Sequence, residues 1–250
     1  MMGKLIIDGI EFKFNSLYKE GIETDEIEAF MFSGNKLLTY AEMENIKVIN
    51  LDGFSRCHNL IEAIFKNVRV IGDGVFSFCD KLTKIEVPNA ISLGFGCFLK
   101  SGIESIVLND EILEIESYAF SSCLKLKNIK LPTNLERIRN NTFYASGSLI
   151  ITSLPETLEE IGEYAFSYTK ISIKHLPKKV SIIPKSCFSN CSALRDLTLG
   201  DKGYPIISIG EYAFGSCIWL TNLTIYTTGG QALAGAPWGA TNATITYLPA

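Results

Sequence analysis

The sequence predicts a repeat solenoid, of α/β type or mainly β, with one short parallel strand per coil and a short irregular or helical return segment. A hexad, IGEYAF at 161–166, returns unchanged at 209–214 and more loosely at four other places. The phenylalanines that close such units are separated by seven steps, of which four are 22 residues, two are 23 and one is 26. Self-similarity at a nearly fixed period is the signature of stacked repeats. These phenylalanines are Phe54, Phe76, Phe98, Phe120, Phe143, Phe166, Phe188 and Phe214.

Each unit keeps its apolar residues at the same positions. In the unit of Phe120, a cysteine follows after three residues, Leu126 after six, and Ile129 and Leu131 end the pattern L-x-x-I-x-L. The period of two at its end predicts a short strand with Ile129 and Leu131 facing inward. One such unit cannot bury its own apolar face, whereas stacked units bury a continuous core.

The chain divides into three predicted parts. Residues 1–26 are an N-terminal hairpin cap and loop, residues 27–226 the solenoid, and residues 227–250 a C-terminal cap. The solenoid begins with a degenerate unit around Phe32, since terminal repeats deviate where they face water. We expect Trp238 to seal the last phenylalanine-bearing coil.

The N-terminal cap is predicted from a turn signal. Lys4–Ile7 and Ile10–Phe14 flank Asp8-Gly9, a pair that tolerates the positive φ angles of a type I′ hairpin turn. Residues 15–26 are polar and acidic, which indicates a connecting loop or a short helix.

Three places depart from the regular period. After Phe98 and Phe166 the strand is expected to start one residue early, as Ile103/Ile106/Leu108 and as the less regular Ile171/Ile173/Leu176. The insertion Asp201–Pro205 is predicted to be a surface loop between a strand and its return segment.

The seven cysteines follow the repeat. Five lie three residues after a repeat phenylalanine, and Cys97 and Cys187 lie directly before one. Because cysteine packs as a small apolar residue, a column of reduced core thiols is favoured over disulfides or a metal site.

Composition excludes some classes of partner. The net charge of −4 and the pI of about 5.4 give no basic surface for nucleic acid. No run approaches the roughly 20 apolar residues of a membrane span, so no membrane insertion is expected. The apolar run in the first residues is too short for a signal peptide. We therefore expect a protein that is cytoplasmic as synthesised, and that either reaches the cell surface by another route or belongs to a virion.

No pattern in the sequence indicates catalysis. There are only two histidines, His58 and His175, and no Ser/His/Asp spacing is evident. Cys187 and Cys191 lack the second ligand pair of a zinc site. We therefore expect no enzyme activity, no cofactor and no metal.

These repeats resemble the BspA-like leucine-rich repeat family, whose units read roughly as aliphatic-x-x-IGxxAFxxCxxLxxIxLP. The resemblance covers residues 45–226, or 27–226 if the degenerate unit is included. It implies a leucine-rich-repeat solenoid and a role in adhesion and protein binding, mostly at bacterial surfaces. The ending APWGATNATITY resembles C-terminal segments of repeat proteins from Firmicutes and their phages.

The leading hypothesis is a non-enzymatic module that binds a protein or glycan on its strand face, in bacterial surface adhesion. The alternative is a structural or host-recognition component of a phage tail, baseplate or tail-like particle. The ligand-binding face is predicted to consist of the outward strand residues Glu62, Lys84, Glu86, Ser105, Asn128, Lys130, Asp196, Thr198, Asn222 and Thr224.

Overall fold

A computed structural model describes residues 3–14, 17–19 and 22–250 of the chain. Over these residues the protein is a mainly β solenoid of stacked coils, which confirms the predicted fold and settles its type as mainly β. The described part contains a single helix, the three-residue 3-10 helix Thr228–Gly230.

The strands of the described residues are two to six residues long. Most of them lie parallel to their neighbours in adjacent coils. In chain order they are β1 (Gly3–Ile7), β2 (Ile10–Phe14), β3 (Leu17–Lys19), β4 (Ile22–Thr24), β5 (Glu26–Ile27), β6 (Leu38–Met43), β7 (Val48–Ile49), β8 (Glu62–Ile64), β9 (Val70–Ile71), β10 (Lys84–Glu86), β11 (Ser92–Leu93), β12 (Ser105–Val107), β13 (Glu114–Ile115), β14 (Asn128–Lys130), β15 (Arg137–Ile138), β16 (Glu160–Ile161), β17 (Ile182–Ile183), β18 (Asp196–Leu199), β19 (Ser208–Ile209), β20 (Asn222–Thr227) and β21 (Thr244–Pro249).

Most coils contribute two strands, where the sequence predicted one. The predicted strands form the face ladder, which runs β6-β8-β10, then β12-β14, then β18-β20-β21. A second ladder consists of two-residue strands. Each of them ends at the aliphatic residue that precedes the hexad glycine or the residue equivalent to that glycine. It runs β5-β7-β9-β11, then β13-β15-β16, then β17-β19.

The return segments contain consecutive turns, so the helical alternative was wrong. The residues two before and two after each repeat phenylalanine have positive φ, as at Tyr118 (60°) and Ser122 (57°) around Phe120. Turn bonds of the i to i+3 type alternate with bonds to the next coil, such as Phe120 N to Thr142 O at 2.9 Å. The backbone groups are therefore satisfied without a helix.

The core is a column of stacked phenylalanine rings. Neighbouring ring centroids lie 4.9–5.7 Å apart from Phe32 to Phe214, with interplanar angles of 3–15°. The rings from Phe54 onward are fully buried, whereas Phe32 is only partly buried. The stacking predicted from the 22-residue spacing is thereby confirmed, including the weaker first unit.

The cysteine column is buried, and its thiols act as hydrogen-bond donors. Cys79 Sγ donates to the carbonyl oxygen of Phe54 in the preceding coil at 3.2 Å, and Cys123 Sγ donates to that of Phe98 at 3.0 Å. Where this position holds Ser146, its hydroxyl donates to Phe120 O at 2.7 Å. The position therefore requires a small side chain that can donate, which is more than an apolar filler provides. All seven cysteines are free thiols.

The hexad glycine serves close packing between coils. The φ of Gly162 is not in the left-handed region, so its conformation does not require glycine. A Cβ on Gly162 would lie 2.4 Å from both Arg139 C and Asn140 N, and one on Gly210 would lie 2.5 Å from Lys185 N. Glycine is required because the backbone of the preceding coil occupies the space of a side chain.

The N-terminal hairpin is confirmed: β1 pairs antiparallel with β2, and Asp8 and Gly9 have φ of 51° and 74°. β1 also pairs antiparallel with β6, so the hairpin continues the face ladder at its first coil. The loop or short helix expected for residues 15–26 is corrected in part, since β3 and β4 form an antiparallel pair. Residues 15, 16, 20 and 21 lie outside the described residues.

The C-terminal segment forms one more coil. β21 pairs in parallel with β20 over six residues, and Phe214 N donates to Trp238 O at 3.0 Å. Trp238 and Ala240 are buried in this coil at 3% and 2% exposure. The division of the chain into a cap, a solenoid and a second cap remains a prediction.

One predicted strand is absent. Residues Ile171 to Leu176 form no strand, and only His175 makes an isolated bridge to Thr198. The insertion Asp201–Pro205 lies between β18 and β19, closed by a bridge between Asp201 and Tyr204.

Candidate functional site

The ten predicted face residues all lie on the face ladder, in three separate groups. Their side chains alternate with buried ones, as in β18, where Leu197 and Leu199 are buried and Asp196 is exposed. The groups are Glu62, Lys84 and Glu86; then Ser105, Asn128 and Lys130; then Asp196, Thr198, Asn222 and Thr224. The predicted continuous row is therefore interrupted twice.

Charges within the groups are largely paired. Lys84 forms ion pairs with Glu62 in the neighbouring strand and, at 3.3 Å, with Glu86 in its own. These carboxylates, Glu62 foremost, raise the pKa of Lys84. Asn222 Nδ2 donates to Asp196 Oδ1 at 2.6 Å. Cross-strand pairs of this kind hold the outward side chains in register.

The larger interruption follows from a change of pattern in two successive coils. The coil of Phe143 reads L-x-I-x-x-L and that of Phe166 reads I-x-I-x-x-L, with Leu149, Ile151 and Leu154 buried in the first. Thr152 and Ser153 are consecutive outward residues, which a strand with a period of two cannot accommodate. The face ladder therefore stops at β14 and resumes at β18.

An open cleft of about 560 Å³ lies where the ladder stops. At the start of the cleft, the coils of Phe120 and Phe143 are still joined by a backbone hydrogen bond from Ile150 N to Lys127 O at 3.1 Å. Beyond this bond the two coils diverge. Ile129 and Leu131 are only partly buried, whereas the equivalent Ile106 and Leu108 are 4% and 3% exposed. We call this the central cleft; it is lined by Asn128, Ile129, Lys130, Leu131, Thr133 and the stretch 150–156.

A second cleft of about 360 Å³ adjoins the first, and Glu156 lines both. Lys178 Nζ lies 3.3 Å from Asp201 Oδ2 and over the ring of Tyr204, so the insertion forms part of its wall. The backbone N–H of Lys202, followed by Lys178, lowers the pKa of Asp201. His175 also lines this second cleft.

The histidines have no catalytic setting in the described residues. His58 Nδ1 lies 2.6 Å from Asp80 Oδ2 on an exposed surface, and in the described residues no hydrogen bond joins either histidine to a Ser, Thr or Cys side chain. The described residues also hold no cluster of three or more potential metal-ligating side chains. No helix in the described part has the length and hydropathy of a membrane span.

Sequence reasoning found the outward strand residues and missed the cleft residues Thr152, Ser153 and Glu156. The signal is present in the sequence, because the spacing aliphatic-x-I-x-x-L distinguishes the coils of Phe143 and Phe166 from the others. The strand predicted after Phe166 is wrong for the same reason.

The chain matches the BspA type leucine rich repeat region, in six copies, over residues 13–100 and 91–221, and it belongs to that family. This confirms the resemblance stated from the hexads and extends it toward the N-terminus. A comparison with curated proteins finds no match.

Solved structures show the same fold. A leucine-rich repeat protein from Bacteroides ovatus is 23% identical with a TM-score of 0.64; the match covers 85% of this chain and 62% of that one. A leucine rich cell surface protein from Faecalibacterium prausnitzii is 17% identical with a TM-score of 0.59, covering 86% and 74%. The chain thus spans less than two thirds of the Bacteroides ovatus protein.

Proposed function

We propose that this protein is a non-enzymatic interaction module whose ligand, a protein or a glycan, binds the strand face around the central cleft. The observation that carries the proposal is the interruption of a regular polar face by one open cleft of about 560 Å³, a size typical of ligand sites. A solenoid holds such a face rigid while its outward residues vary.

The chemistry of the cleft suits recognition. Its floor has partly exposed apolar side chains, Ile129 and Leu131, and its rim has hydroxyl, amide and charged groups. Ile150 at its edge is 53% exposed. A polar rim around an apolar floor is the common arrangement of interaction sites.

Adhesion at a bacterial surface is the setting that we propose. Its support is the family, together with the shared fold of the Faecalibacterium prausnitzii protein that is described as a cell surface protein. The net charge of −4 supports a partner other than nucleic acid.

A second proposal, a component of a phage tail or tail-like particle, rests on the ending APWGATNATITY. This segment builds the last coil, with Trp238 in its core and β21 on the ladder. A structural role in the solenoid is thus sufficient to explain its composition. Tail or baseplate genes flanking this gene would favour the phage proposal, and surface-protein genes would contradict it.

The binding proposal is tested on an array of extracellular matrix proteins and defined glycans. We expect at least one ligand whose binding is weakened by Lys130→Ala with Glu156→Ala, in the cleft, and retained by Lys81→Ala with Glu163→Ala, which lie off the face ladder. Binding that no substitution on the face ladder or in the cleft alters would contradict the proposal.

A further inference from the structure

The central cleft exposes a free strand edge in the middle of the solenoid. β14 pairs with β12 in the register Asn128 to Ser105 and Lys130 to Val107, and Leu108 N donates to Lys130 O. Because the peptide groups of successive strand residues point to opposite edges, those of Ile129 and Leu131 point toward the cleft. In the described part of the chain, these groups have no hydrogen-bond partner.

In the described part of the chain, the face ladder has such internal edges only at its two interruptions, between β10 and β12 and between β14 and β18. β8, by comparison, pairs on one side with β6 and on the other with β10, so both of its edges are covered. An exposed row of unpaired N–H and C=O groups is a template for another strand. The neighbouring coil cannot supply one, because Thr152 and Ser153 both face outward.

We infer that the central cleft binds an extended segment of a partner polypeptide, which adds to the free edge of β14 as a parallel or antiparallel strand. This inference rests on the proposed function and specifies its ligand. Main-chain hydrogen bonds to Ile129 and Leu131 provide affinity, and alternate side chains provide specificity.

The lining of the cleft defines the sequence of the segment. Every second side chain of the bound segment would lie on Ile129, Leu131 and Leu154, so these side chains should be apolar. The other set would lie beside Lys130 and Thr152 and should be polar or small. Glu156, which has no ion-pair partner in the described residues, favours a lysine or arginine at the end nearest to it.

The test starts with a displayed library of random linear peptides of about 12 residues, selected on the immobilised protein. We expect enriched peptides with alternating apolar residues and a basic residue near one end. Each is then synthesised with single N-methyl groups along its length. Methylation should abolish binding at alternate positions only, since only every second N–H faces β14.

A double substitution closes the edge without changing composition. Ile151→Thr with Thr152→Ile restores the pattern L-x-x-I-x-L, so the coil of Phe143 should pair with β14. Binding of the selected peptides should weaken about tenfold or more, the scale of one lost strand contact. The double variant Lys81→Ala with Glu163→Ala, which lies off the face ladder and outside the cleft, should retain binding. Circular dichroism and urea unfolding check that both variants fold.

Several outcomes would overturn the inference. They are a selection without enriched peptides, an effect of N-methylation that does not alternate, and equal binding by the edge-closing variant. Dimerisation of the wild type that the edge-closing variant loses would make the occupant a second copy instead. The protein and glycan array separates the two proposals. If a ligand from the array binds the face and edge closure does not affect it, the proposed function stands and only the inference of an extended peptide ligand is contradicted.

Discussion

The cysteine that lies three residues after five of the repeat phenylalanines combines packing with hydrogen bonding. Cys123 donates to Phe98 O at 3.0 Å in a fully buried site. Loss of the donor should cost about 0.5–1.5 kcal/mol, the net contribution of one hydrogen bond, because Phe98 O still accepts from Ser101 N at 3.0 Å. The sequence predicted the burial of this column, but not the bond, because the acceptor lies in the preceding coil.

Substitution at this position tests the bond. We expect Cys123→Ala to lower the free energy of unfolding by about 0.5–1.5 kcal/mol and Cys123→Ser by less, since a hydroxyl can donate as Ser146 does. Urea unfolding measures both. Cys97→Ala is the control, because Cys97 is equally buried and, in the described residues, its thiol donates to no carbonyl group of the preceding coil. Equal losses for alanine and serine at position 123 would contradict a donor role.

The same thiol predicts how stability depends on pH. Burial raises the pKa of Cys123 from 9.0 to about 12. Above pH 9 the unfolded chain therefore loses a proton that the folded chain keeps, so the stabilising contribution is complete below pH 9 and falls toward pH 12. The loss per thiol is about 1.4 kcal/mol per pH unit. Between pH 9 and 10.5, Cys123→Ser should show a shallower decline than the wild type; parallel curves would contradict this.

The phenylalanine column gives a test graded by position. Phe120→Ala removes a fully buried ring between two stacked neighbours and should cost about 3–5 kcal/mol as a cavity. Phe32→Ala should cost less, because that ring is partly exposed. Phe95→Ala, at a ring that is 50% exposed, is the surface control. Equal losses at Phe120 and Phe32, measured by urea unfolding, would contradict a degenerate first unit.

At the scale of the element, a coil is defined by how closely it approaches the one before. Gly162 follows β16 directly, and its Cα leaves no room for a methyl group against Arg139 and Asn140. The recurrence of this glycine in the hexads does not indicate that role, because a pattern shows which residue recurs and not which backbone lies next to it. The positive φ angles are instead carried largely by other residue types, such as Tyr118 and Ser122.

Glycine substitutions test whether Gly162 is needed for close packing between coils. Gly162→Ala should lower the free energy of unfolding by about 1–3 kcal/mol, as expected for overpacking against a rigid backbone. Gly147→Ala is the matched control, since its Cβ would lie 3.6 Å from Tyr168 O and its φ is not in the left-handed region. A neutral Gly162→Ala in urea unfolding would contradict the close approach of the coils.

At the scale of the whole molecule, the sequence predicted the framework better than the site. The 22-residue period defined the stack, the inward residues and the outward row, because each follows from local spacing. The interruption between β14 and β18 depends on a one-residue shift in two coils, whose effect appears only where neighbouring strands fail to pair. The proposed ligand site therefore lies where the repeat varies. The regular hexads could not indicate its position.

The central claim is that the free edge of β14 is the ligand contact. Its most direct test is amide hydrogen exchange of Ile129 and Leu131 with and without a selected peptide. In the free protein both amides should exchange fast, whereas Ala63 in the fully paired β8 should be protected. Bound peptide should protect Ile129 and Leu131. Slow exchange of both amides in the free protein, or protection by the peptide at other residues only, would contradict the claim.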